Sequence, residues 1–400
     1  MDTQVAIVGA GPAGLVLSHL LDRQGIDCVV LENRSRAYVE SRIRAGVLEH
    51  STVELLRALG LADRLIRERM VHHGLEFLFE GTAHRIALSE LTGGKTITIY
   101  GQHELVKDLI RARLDKGGDI LFEVSDVTVG ALDQSRPTVR FGYSGAAHEL
   151  TADFVAGCDG FHGICRPSIP AGVLHSYERV YPFSWLGILA QAPPSSAELI
   201  YARHERGFAL HSMRSAEITR LYLQAAPDET LDDWPDHRIW SELRTRLARV
   251  GDWELTTGPV LEKGITPMRS FVAEPMQHRR LFLAGDAAHI VPATGAKGLN
   301  LAVADVTALA AGLTAWYAGG RTDLLDSYSR TCLQRVWRVQ HFSWWMTSML
   351  HKLSDDAFDE RLQLSQLRYV TSSAAAATSL AENYVGLPYT FQVPPVAVSA

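Results

Sequence analysis

Three glycines near the start of the chain have a spacing that suits pyrophosphate binding. Gly9, Gly11 and Gly14 follow the apolar, β-branched run 4–8 and precede a segment with apolar residues at helical spacing. In such a loop the first glycine permits a tight turn, the second lets the backbone approach a pyrophosphate, and the third lets helix and strand pack closely. Glu32 ends the next apolar run and could accept hydrogen bonds from a ribose hydroxyl. The motif predicts a dinucleotide-binding βαβ unit; a tight turn without a ligand is the alternative.

Two aspartates beside glycines distinguish FAD from NAD. Asp159 precedes Gly160 after an apolar run, and Asp286 follows Gly285 at the end of another. A carboxylate at a strand end, next to a residue without a side chain, can bind a polyol, and FAD has a ribityl chain where NAD has none. Each aspartate alone is typical of a turn. Together with the glycine motif, the pair favours FAD.

Four polar residues in a region of alternating apolar residues could bind an acid. Ser212 and Arg214 are two positions apart and therefore share one face of a strand, as do Arg220 and Tyr222. With a turn centred on Glu217, Ser212 would lie opposite Tyr222 and Arg214 opposite Arg220. This set suits a carboxylate, because a guanidinium can donate to both oxygens while the hydroxyls donate as well. An exposed polar sheet face is the alternative.

These motifs resemble the three fingerprints of the class A flavoprotein aromatic hydroxylases. The resemblance covers nearly the whole chain, and its most specific stretches are residues 42–49, 158–163, 285–300 and 381–388. Within the family it is strongest to the members that hydroxylate 4-hydroxybenzoate. It implies bound FAD, NADPH or NADH as electron donor, and oxygen activation as a flavin hydroperoxide. The implied product is 3,4-dihydroxybenzoate, made by a cytoplasmic homodimer.

The resemblance also implies flavin contacts outside the glycine and aspartate motifs. The matching positions are Arg42, Arg44, Val47, Gln102, Gly298, Leu299 and Asn300. The last three begin a predicted helix, whose free N–H groups would stabilise an anionic reduced flavin. Arg34, near Tyr38, is a weak candidate for contacting a 2′-phosphate, so NADPH is favoured and NADH stays open.

At the carboxylate end of the substrate, the resemblance gives the four polar residues separate roles. The positions that match Ser212, Arg214 and Tyr222 hold the benzoate carboxylate in the family. The position that matches Arg220 lies against the flavin and influences its movement.

At the phenol end, the resemblance implies a proton relay. Tyr201 and Tyr384 match its two phenols, and His72 matches its solvent end, where a histidine suits proton exchange near neutral pH. Ala293 stands where the family usually has proline. Its carbonyl is expected to contact the substrate hydroxyl, on a loop that is less rigid without the proline ring.

The elements that must position these residues predict an α/β fold. A Rossmann-like parallel FAD-binding sheet is expected in residues 1–175, an antiparallel substrate-binding sheet in 176–290, and a helical region completing the flavin site in 291–390. Residues 391–400 are expected to form a disordered tail. The aromatic stretch around Trp344 is expected in the core or in a subunit interface.

Composition limits the classes of function. A net charge of −6 argues against a nucleic-acid surface, and four cysteines without paired spacing predict a reduced chain without a metal site. Neither a secretory signal nor a membrane-spanning run is expected. Three alternatives stay open: a hydroxylase of another hydroxybenzoate or an aminobenzoate, a flavin oxidase or reductase, and a non-enzymatic FAD-bound ligand sensor.

Overall fold

The computed structural model describes residues 1–42 and 46–389 of the chain. Its strands are β1 (Asp2–Val8), β2 (Cys28–Glu32), β3 (Val47–Leu48), β4 (Met70–His72), β5 (Leu75–Phe79), β6 (Thr82–Ile86), β7 (Ile97–Ile99), β8 (Ile120–Phe122), β9 (Ser125–Gly130), β10 (Thr138–Tyr143), β11 (Ala146–Gly157), β12 (His175–Ala190), β13 (Leu199–Ala202), β14 (Ala209–Met213), β15 (Thr219–Ala225), β16 (Val260–Glu274), β17 (Gln277–His278), β18 (Leu281–Leu283) and β19 (His289–Ile290). Its helices are α1 (Pro12–Asp22), α2 (Arg36–Ser41), α3 (His50–Ala58), α4 (Asp63–Glu68), α5 (Leu88–Leu91), α6 (Gln102–Asp115), α7 (Asp236–Arg246), α8 (Gly298–Gly319), α9 (Asp323–Asp326), α10 (Tyr328–Leu350), α11 (Ala357–Ser372) and α12 (Ala374–Val385).

The first sheet has a parallel centre in the order β8-β2-β1-β11-β18. Its strands are rich in buried β-branched residues such as Ile7, Val30 and Val155, which is typical of a parallel sheet covered on both faces. Helix α1 joins β1 to β2 and packs against α6 and α8. The predicted βαβ unit is confirmed.

The second sheet has the order β19-β16-β12-β15-β14-β13-β5-β6, and only the β13–β5 pair is parallel. Helix α7 covers one face through Ile239 and Leu243. Helices α10, α11 and α12 cover the other face through Met346, Leu367 and Leu380. The antiparallel sheet predicted for the middle of the chain is therefore present, and both of its faces are packed.

Sheet membership does not follow the three contiguous segments expected from the sequence. Strands β5 and β6 precede residue 175 but extend the second sheet, and β18 precedes residue 290 but joins the first. Helix α8, expected in the C-terminal region, packs against α1. The chain crosses between the sheets because strand pairing over long sequence distances, which local patterns do not encode, decides where each strand is added.

One helix of the described chain, α8, is long and apolar enough to cross a membrane by length and composition. The sequence expectation concerned a run of uncharged residues, and α8 does not meet it because it contains Asp305. In addition, 78% of its apolar window is buried inside the protein. This burial is what the core helix of a soluble protein shows.

Candidate active site

The glycine loop between β1 and α1 leaves room for a ligand. Gly9 has φ of 106°, and a Cβ there would lie 2.3 Å from the Cys158 carbonyl oxygen. A Cβ on Gly14 would lie 2.0 Å from the Gly9 carbonyl oxygen. A Cβ on Gly11, the residue that precedes α1, would meet nothing within 4 Å. Close packing therefore demands glycine at 9 and 14, while the open space at Gly11 lies where an anion is favoured at a helix N-terminus.

Glu32 lies at the end of β2 beside this loop. Its Oε2 accepts a hydrogen bond from the Ala10 N–H at 2.8 Å, and its Oε1 accepts one from the Arg34 N–H at 2.8 Å. These bonds fix the carboxylate next to the space beside Gly11. Its remaining lone pairs are free to accept from ribose hydroxyls, as the motif predicts.

The two aspartates differ in burial. Asp159 Oδ2 accepts a hydrogen bond from the Cys165 N–H at 2.8 Å, whereas its buried Oδ1 has no partner in the described chain. Burial raises the pKa of Asp159, although the Cys165 hydrogen bond opposes this. Asp286 is exposed, in a 3-10 turn after β18. An unpaired buried carboxylate oxygen calls for a hydroxyl donor, which a ribityl chain supplies.

The N-terminus of α8 supplies free backbone donors. Gly298, Leu299 and Asn300 form its first turn, and a Cβ on Gly298 would meet nothing within 4 Å. The Asn300 side chain is already used: its Oδ1 accepts from the Glu49 N–H at 2.9 Å, and its Nδ2 donates to the Val47 carbonyl at 3.0 Å. Asn300 therefore ties β3 to α8, and the first N–H groups of α8 stay available to a ligand.

A buried ion pair holds α12 against this helix terminus. Lys297 Nζ donates to Glu49 Oε1 at 2.8 Å and to the Tyr384 carbonyl at 2.8 Å. Burial lowers the pKa of Lys297, while Glu49 opposes the shift. Through its second bond, to the Tyr384 carbonyl, Lys297 joins the loop that precedes α8 to the helix that carries Tyr384.

The other predicted flavin contacts lie on the N-terminal side. Gln102 is the first residue of α6 and is half-buried, and Arg42 is exposed at the end of α2. The guanidinium carbons of Arg42 and Arg34 lie 5.9 and 5.3 Å from the centre of the Tyr38 ring. Arg44 lies outside the described residues.

One row of paired residues crosses the second sheet at the substrate site. In register, Phe77 on β5 pairs with Tyr201 on β13, Tyr201 with Leu210 on β14, Leu210 with Tyr222 on β15, and Tyr222 with Gly187 on β12. Paired residues point to the same face of a sheet. Tyr201 and Tyr222 therefore share the face that α10, α11 and α12 cover.

The predicted opposition across the β14–β15 hairpin needs a correction of two residues. Ser212 pairs with Arg220 rather than with Tyr222, and the Arg214 N–H donates to the Ile218 carbonyl at 2.9 Å. The turn is tighter than expected and centres on residue 216. Because a shift of two residues preserves the side-chain face, the predicted cluster still forms.

Arg214 and Arg220 place two cations in the interior with unused donors. Arg214 Nε and the Nε and Nη1 atoms of Arg220 are buried without partners in the described chain. Arg214 Nη1 lies 3.5 Å from Ser212 Oγ, and the Arg220 guanidinium lies 5.2 Å from the centre of the Tyr222 ring. Burial by itself would raise the pKa of Tyr222, but Arg220 and Arg214 outweigh it and lower the pKa. Buried guanidinium groups with unsatisfied N–H donors constitute an anion site.

A pair of buried phenols lies at the other side of the same face. The hydroxyl oxygens of Tyr201 and Tyr384 are 2.5 Å apart, and the Tyr201 hydroxyl is also 3.2 Å from the Thr294 carbonyl oxygen. The Tyr201 hydrogen therefore has two acceptors between which it can turn. Burial raises the pKa of both phenols, so both stay neutral at pH 7.

The carbonyl that the Tyr201 hydroxyl contacts belongs to Thr294, and the expected contact of the Ala293 carbonyl with the substrate hydroxyl stays a prediction. Ala293 is exposed, and its carbonyl accepts the Ala296 N–H at 2.9 Å. The short 3-10 turn Ala293–Gly295 uses the first carbonyl internally and directs the next one towards Tyr201.

His72 does not lie at a solvent boundary. It is 1% exposed, and both ring nitrogens lack partners in the described chain. Burial, with a smaller contribution from His73, lowers its pKa to about 4 against the opposing effect of Glu198. The side chain is therefore enclosed in the interior rather than facing solvent as expected, and its part in the relay stays a prediction.

Several residues of the site were missed in the sequence. Gly187 and Trp185 lie on the site face of β12, Thr294 contacts Tyr201, and His351 packs below them. Thr294 could have been found from the sequence, because it directly follows the predicted site residue Ala293. Nothing local to His351 predicts its position.

Comparison with known proteins agrees with this site. The profile of the FAD binding domain family matches residues 2–343. The p-hydroxybenzoate hydroxylase of Acinetobacter baylyi is 48% identical over 390 residues, which is 97% of this chain and 96% of that protein. A 3-(3-hydroxy-phenyl)propionate/3-hydroxycinnamic acid hydroxylase of Mycobacterium avium is 29% identical over 350 residues, 82% of this chain and 57% of that protein. This chain therefore belongs to the FAD-binding family of flavoprotein hydroxylases.

Solved structures agree in fold. The p-nitrophenol 4-monooxygenase of Pseudomonas putida superposes with a TM-score of 0.82 at 18% identity, covering 96% of this chain and 98% of that one. Aklavinone-11 hydroxylase, solved with FAD and aklavinone, superposes with a TM-score of 0.72 at 24% identity. The match covers 87% of this chain and 69% of that one. The open space at Gly11, the anchored Glu32 and the unpaired Asp159 oxygen fit FAD as the cofactor of this chain.

Proposed function

We propose that this chain hydroxylates 4-hydroxybenzoate to 3,4-dihydroxybenzoate with NADPH or NADH and O2. The observation that carries the proposal is one sheet face with two parts: an anion pocket of Arg214 and Arg220 with unused buried donors, and the hydrogen-bonded pair Tyr201 and Tyr384. A para-hydroxy acid presents a carboxylate and a phenol at opposite ends of one ring. The A. baylyi relative carries the name of this activity.

In this proposal the protein binds the substrate and deprotonates it. Arg214 donates to the carboxylate with help from the Ser212 and Tyr222 hydroxyls, while Arg220 keeps the role beside the flavin that the resemblance implies and adds positive charge to the pocket. Tyr201 accepts the phenolic proton while its own hydrogen turns from Thr294 towards Tyr384. The transfer passes between neutral hydroxyls, in keeping with the raised pKa of both tyrosines.

Bound FAD supplies the chemistry that takes electrons from NAD(P)H, activates O2 and transfers one oxygen atom to the ring. Gly9, Gly11, Gly14, Glu32, Asp159 and Asp286, with Arg42, Arg44, Val47 and Gln102 and the first turn of α8, would hold it. The apolar cluster of the second sheet and α10–α12 excludes water from the ring. His72 would take the proton onward after rearrangement of its buried surroundings.

The test is a comparison of NAD(P)H oxidation by the yellow holoenzyme with and without 4-hydroxybenzoate. We expect oxidation to be stimulated by the substrate, with 3,4-dihydroxybenzoate as product. Product from 3-hydroxybenzoate or an aminobenzoate, but not from 4-hydroxybenzoate, would support the hydroxylase alternative. Turnover without an oxygenated product would indicate an oxidase or reductase, and binding without turnover a sensor.

Coenzyme choice and assembly belong to the same proposal. Arg34 and Arg42 beside Tyr38 offer exposed cations to a 2′-phosphate, which favours NADPH over NADH. Trp337 and Trp344 on α10 are 42% and 40% exposed, which favours a homodimer through this helix. A cytoplasmic location is part of the same proposal. Kinetics with both coenzymes and light scattering of the purified chain test these points.

A further inference from the structure

His351, the residue that follows α10, has its hydrogen bonds fixed by its two partners. Its Nε2 lies 2.7 Å from Trp185 Nε1, and its Nδ1 lies 3.1 Å from the Thr347 carbonyl oxygen. An indole N–H can only donate and a carbonyl can only accept. The imidazole is therefore neutral, with its hydrogen on Nδ1, and a second proton would break the bond to Trp185.

The imidazole is also held on both faces. It is 0% exposed and stacks between Phe183 and Phe208, with ring centres 4.4 and 4.2 Å away. Burial lowers the pKa of His351 to about 3, in agreement with the neutral form. Both nitrogens and both faces are occupied, so the ring has one available orientation.

Trp185 connects His351 to the anion pocket. The centre of its ring lies 4.8 Å from that of Tyr222, whose hydroxyl belongs to the pocket with Arg214 and Arg220. Trp185 therefore lies between the end of α10 and the carboxylate end of the proposed substrate.

Thr347, one turn earlier in α10, connects the same helix end to the phenol end. Its hydroxyl donates to the Ser343 carbonyl at 2.7 Å, so the Thr294 hydroxyl, 2.9 Å away, must be the donor in their contact. Thr294 accepts Tyr201 through its carbonyl. Thr347 and His351, four positions apart at the end of α10, thus join the phenol end of the site to its carboxylate end.

We propose that Thr347 and His351 are positioning residues that fix the separation between the anion pocket and the Tyr201–Tyr384 pair. By fixing this separation, the last turn of α10 selects substrates by the distance between their carboxylate and hydroxyl groups. It therefore favours a para-hydroxy acid over its meta isomer. The inference rests on the proposed function, since it concerns how the same site measures its substrate. It adds two residues that touch neither the substrate nor the cofactor.

The first test replaces His351. His351→Leu removes the acceptor of the Trp185 N–H, whereas His351→Gln keeps an acceptor on a side chain of similar reach. We expect His351→Leu to lower the ratio of affinities for 4-hydroxybenzoate over 3-hydroxybenzoate about 10-fold and to raise the share of NAD(P)H that ends as peroxide. His351→Gln should restore most of both values.

The second test uses Thr347, whose replacement perturbs packing little. Thr347→Val removes the hydroxyl that Thr294 contacts, and Thr347→Ser retains it. We expect the isomer preference to fall in Thr347→Val and to persist in Thr347→Ser, so this pair decides the matter if His351→Leu does not fold. If Thr347 had a purely structural role, Thr347→Val and Thr347→Ser would lower thermal stability by the same amount and would leave the isomer preference unchanged. That result would overturn the proposal.

The parent chain separates this inference from the proposed function. If the parent enzyme neither binds nor hydroxylates 4-hydroxybenzoate, the proposed function fails. If it does both with a clear isomer preference, and every replacement at positions 347 and 351 keeps that preference, only the positioning inference fails.

Discussion

Gly187 shows how one missing side chain shapes the anion pocket. A Cβ at this position would lie 2.8 Å from Arg220 Nη2 and 3.3 Å from Tyr222 Cε1. Its register partner on β16 is Gly264, where a Cβ would meet nothing within 4 Å. Neither glycine has positive φ, so backbone strain is not the reason for glycine at 187. The space is occupied instead by the Arg220 and Tyr222 side chains of the anion pocket.

Gly187→Ala should weaken substrate binding because Arg220 and Tyr222 must move. We expect the Kd for 4-hydroxybenzoate to rise about 10-fold, measured by equilibrium titration of the holoenzyme. Gly264→Ala is the matched control and should bind like the parent chain. Equal affinities of the two variants would contradict this account of the pocket.

Tyr201→Phe removes the hydroxyl that lies between Thr294 and Tyr384. Flavin reduction should continue, while hydroxylation should fall by about 10²-fold or more because the phenol no longer has a proton acceptor. Most electrons should then appear as hydrogen peroxide. Parallel assays of product and peroxide check this, and full coupling in the variant would refute the relay.

Alternation along the strands was enough to place Ser212, Arg214, Arg220 and Tyr222 on one face, although the predicted pairing register was off by two residues. The contact between Tyr201 and Tyr384 spans 183 positions and came only from the resemblance. Local periodicity cannot predict such a contact, since it depends on how helices dock on a sheet.

Helix α8 is the element that joins the two halves of the site. Its N-terminal turn follows the loop that carries Thr294, and its body packs against α1 behind the glycine loop. The sequence predicted this helix from about residue 299 to 317, and the structure extends it to Gly298–Gly319. The two glycines at its ends allow a matched pair of substitutions.

Gly298→Ala should separate folding from cofactor binding. The new Cβ meets no atom within 4 Å in the described part of the chain, and alanine favours a helix over glycine, so the apoprotein should be at least as stable as the parent. If the flavin approaches this backbone, FAD affinity should fall about 10-fold. Gly319→Ala, at the open far end of α8, should change neither. Unchanged FAD affinity in Gly298→Ala would place the flavin elsewhere.

Buried histidines make stability depend on pH. Burial lowers the pKa of His351 to about 3 and that of His211 to about 4, below the unfolded value of about 6.5. Below this unfolded value, these histidines bind protons in the unfolded chain but stay neutral in the folded chain. Each such group contributes stability that is complete above pH 6.5 and is lost as the pH falls towards its folded pKa.

His351→Gln should flatten this pH dependence. Between pH 7 and pH 5 the parent chain should lose about 2 kcal/mol more unfolding free energy than the variant, since one titrating histidine is removed. Urea denaturation of the holoenzyme at both pH values measures the difference. Parallel pH profiles would show that His351 titrates normally in the folded protein.

At the scale of the whole molecule, the described chain passes five times between its two large sheets. The glycine motif and the alternating strands were enough to predict a parallel and an antiparallel sheet. They could not show that β5 and β6 extend the second sheet or that β18 returns to the first. Because of these crossings, segments that are far apart in the sequence build the flavin loops and the substrate face.

In the proposed function, one pocket binds the carboxylate of an acid at one end and accepts a proton from its phenol at the other. The positive charge that lowers the pKa of Tyr222 against the effect of burial should also favour the phenolate of a bound substrate, whose free phenol has a reference pKa of about 10.

Ultraviolet titration of 4-hydroxybenzoate bound to the oxidised holoenzyme tests this claim most directly. We expect the phenolate band of the bound ligand to appear at a lower pH than that of the free ligand, and we expect Tyr201→Phe to reduce the difference. A bound ligand that ionises as it does in free solution, or no binding at all, would contradict it.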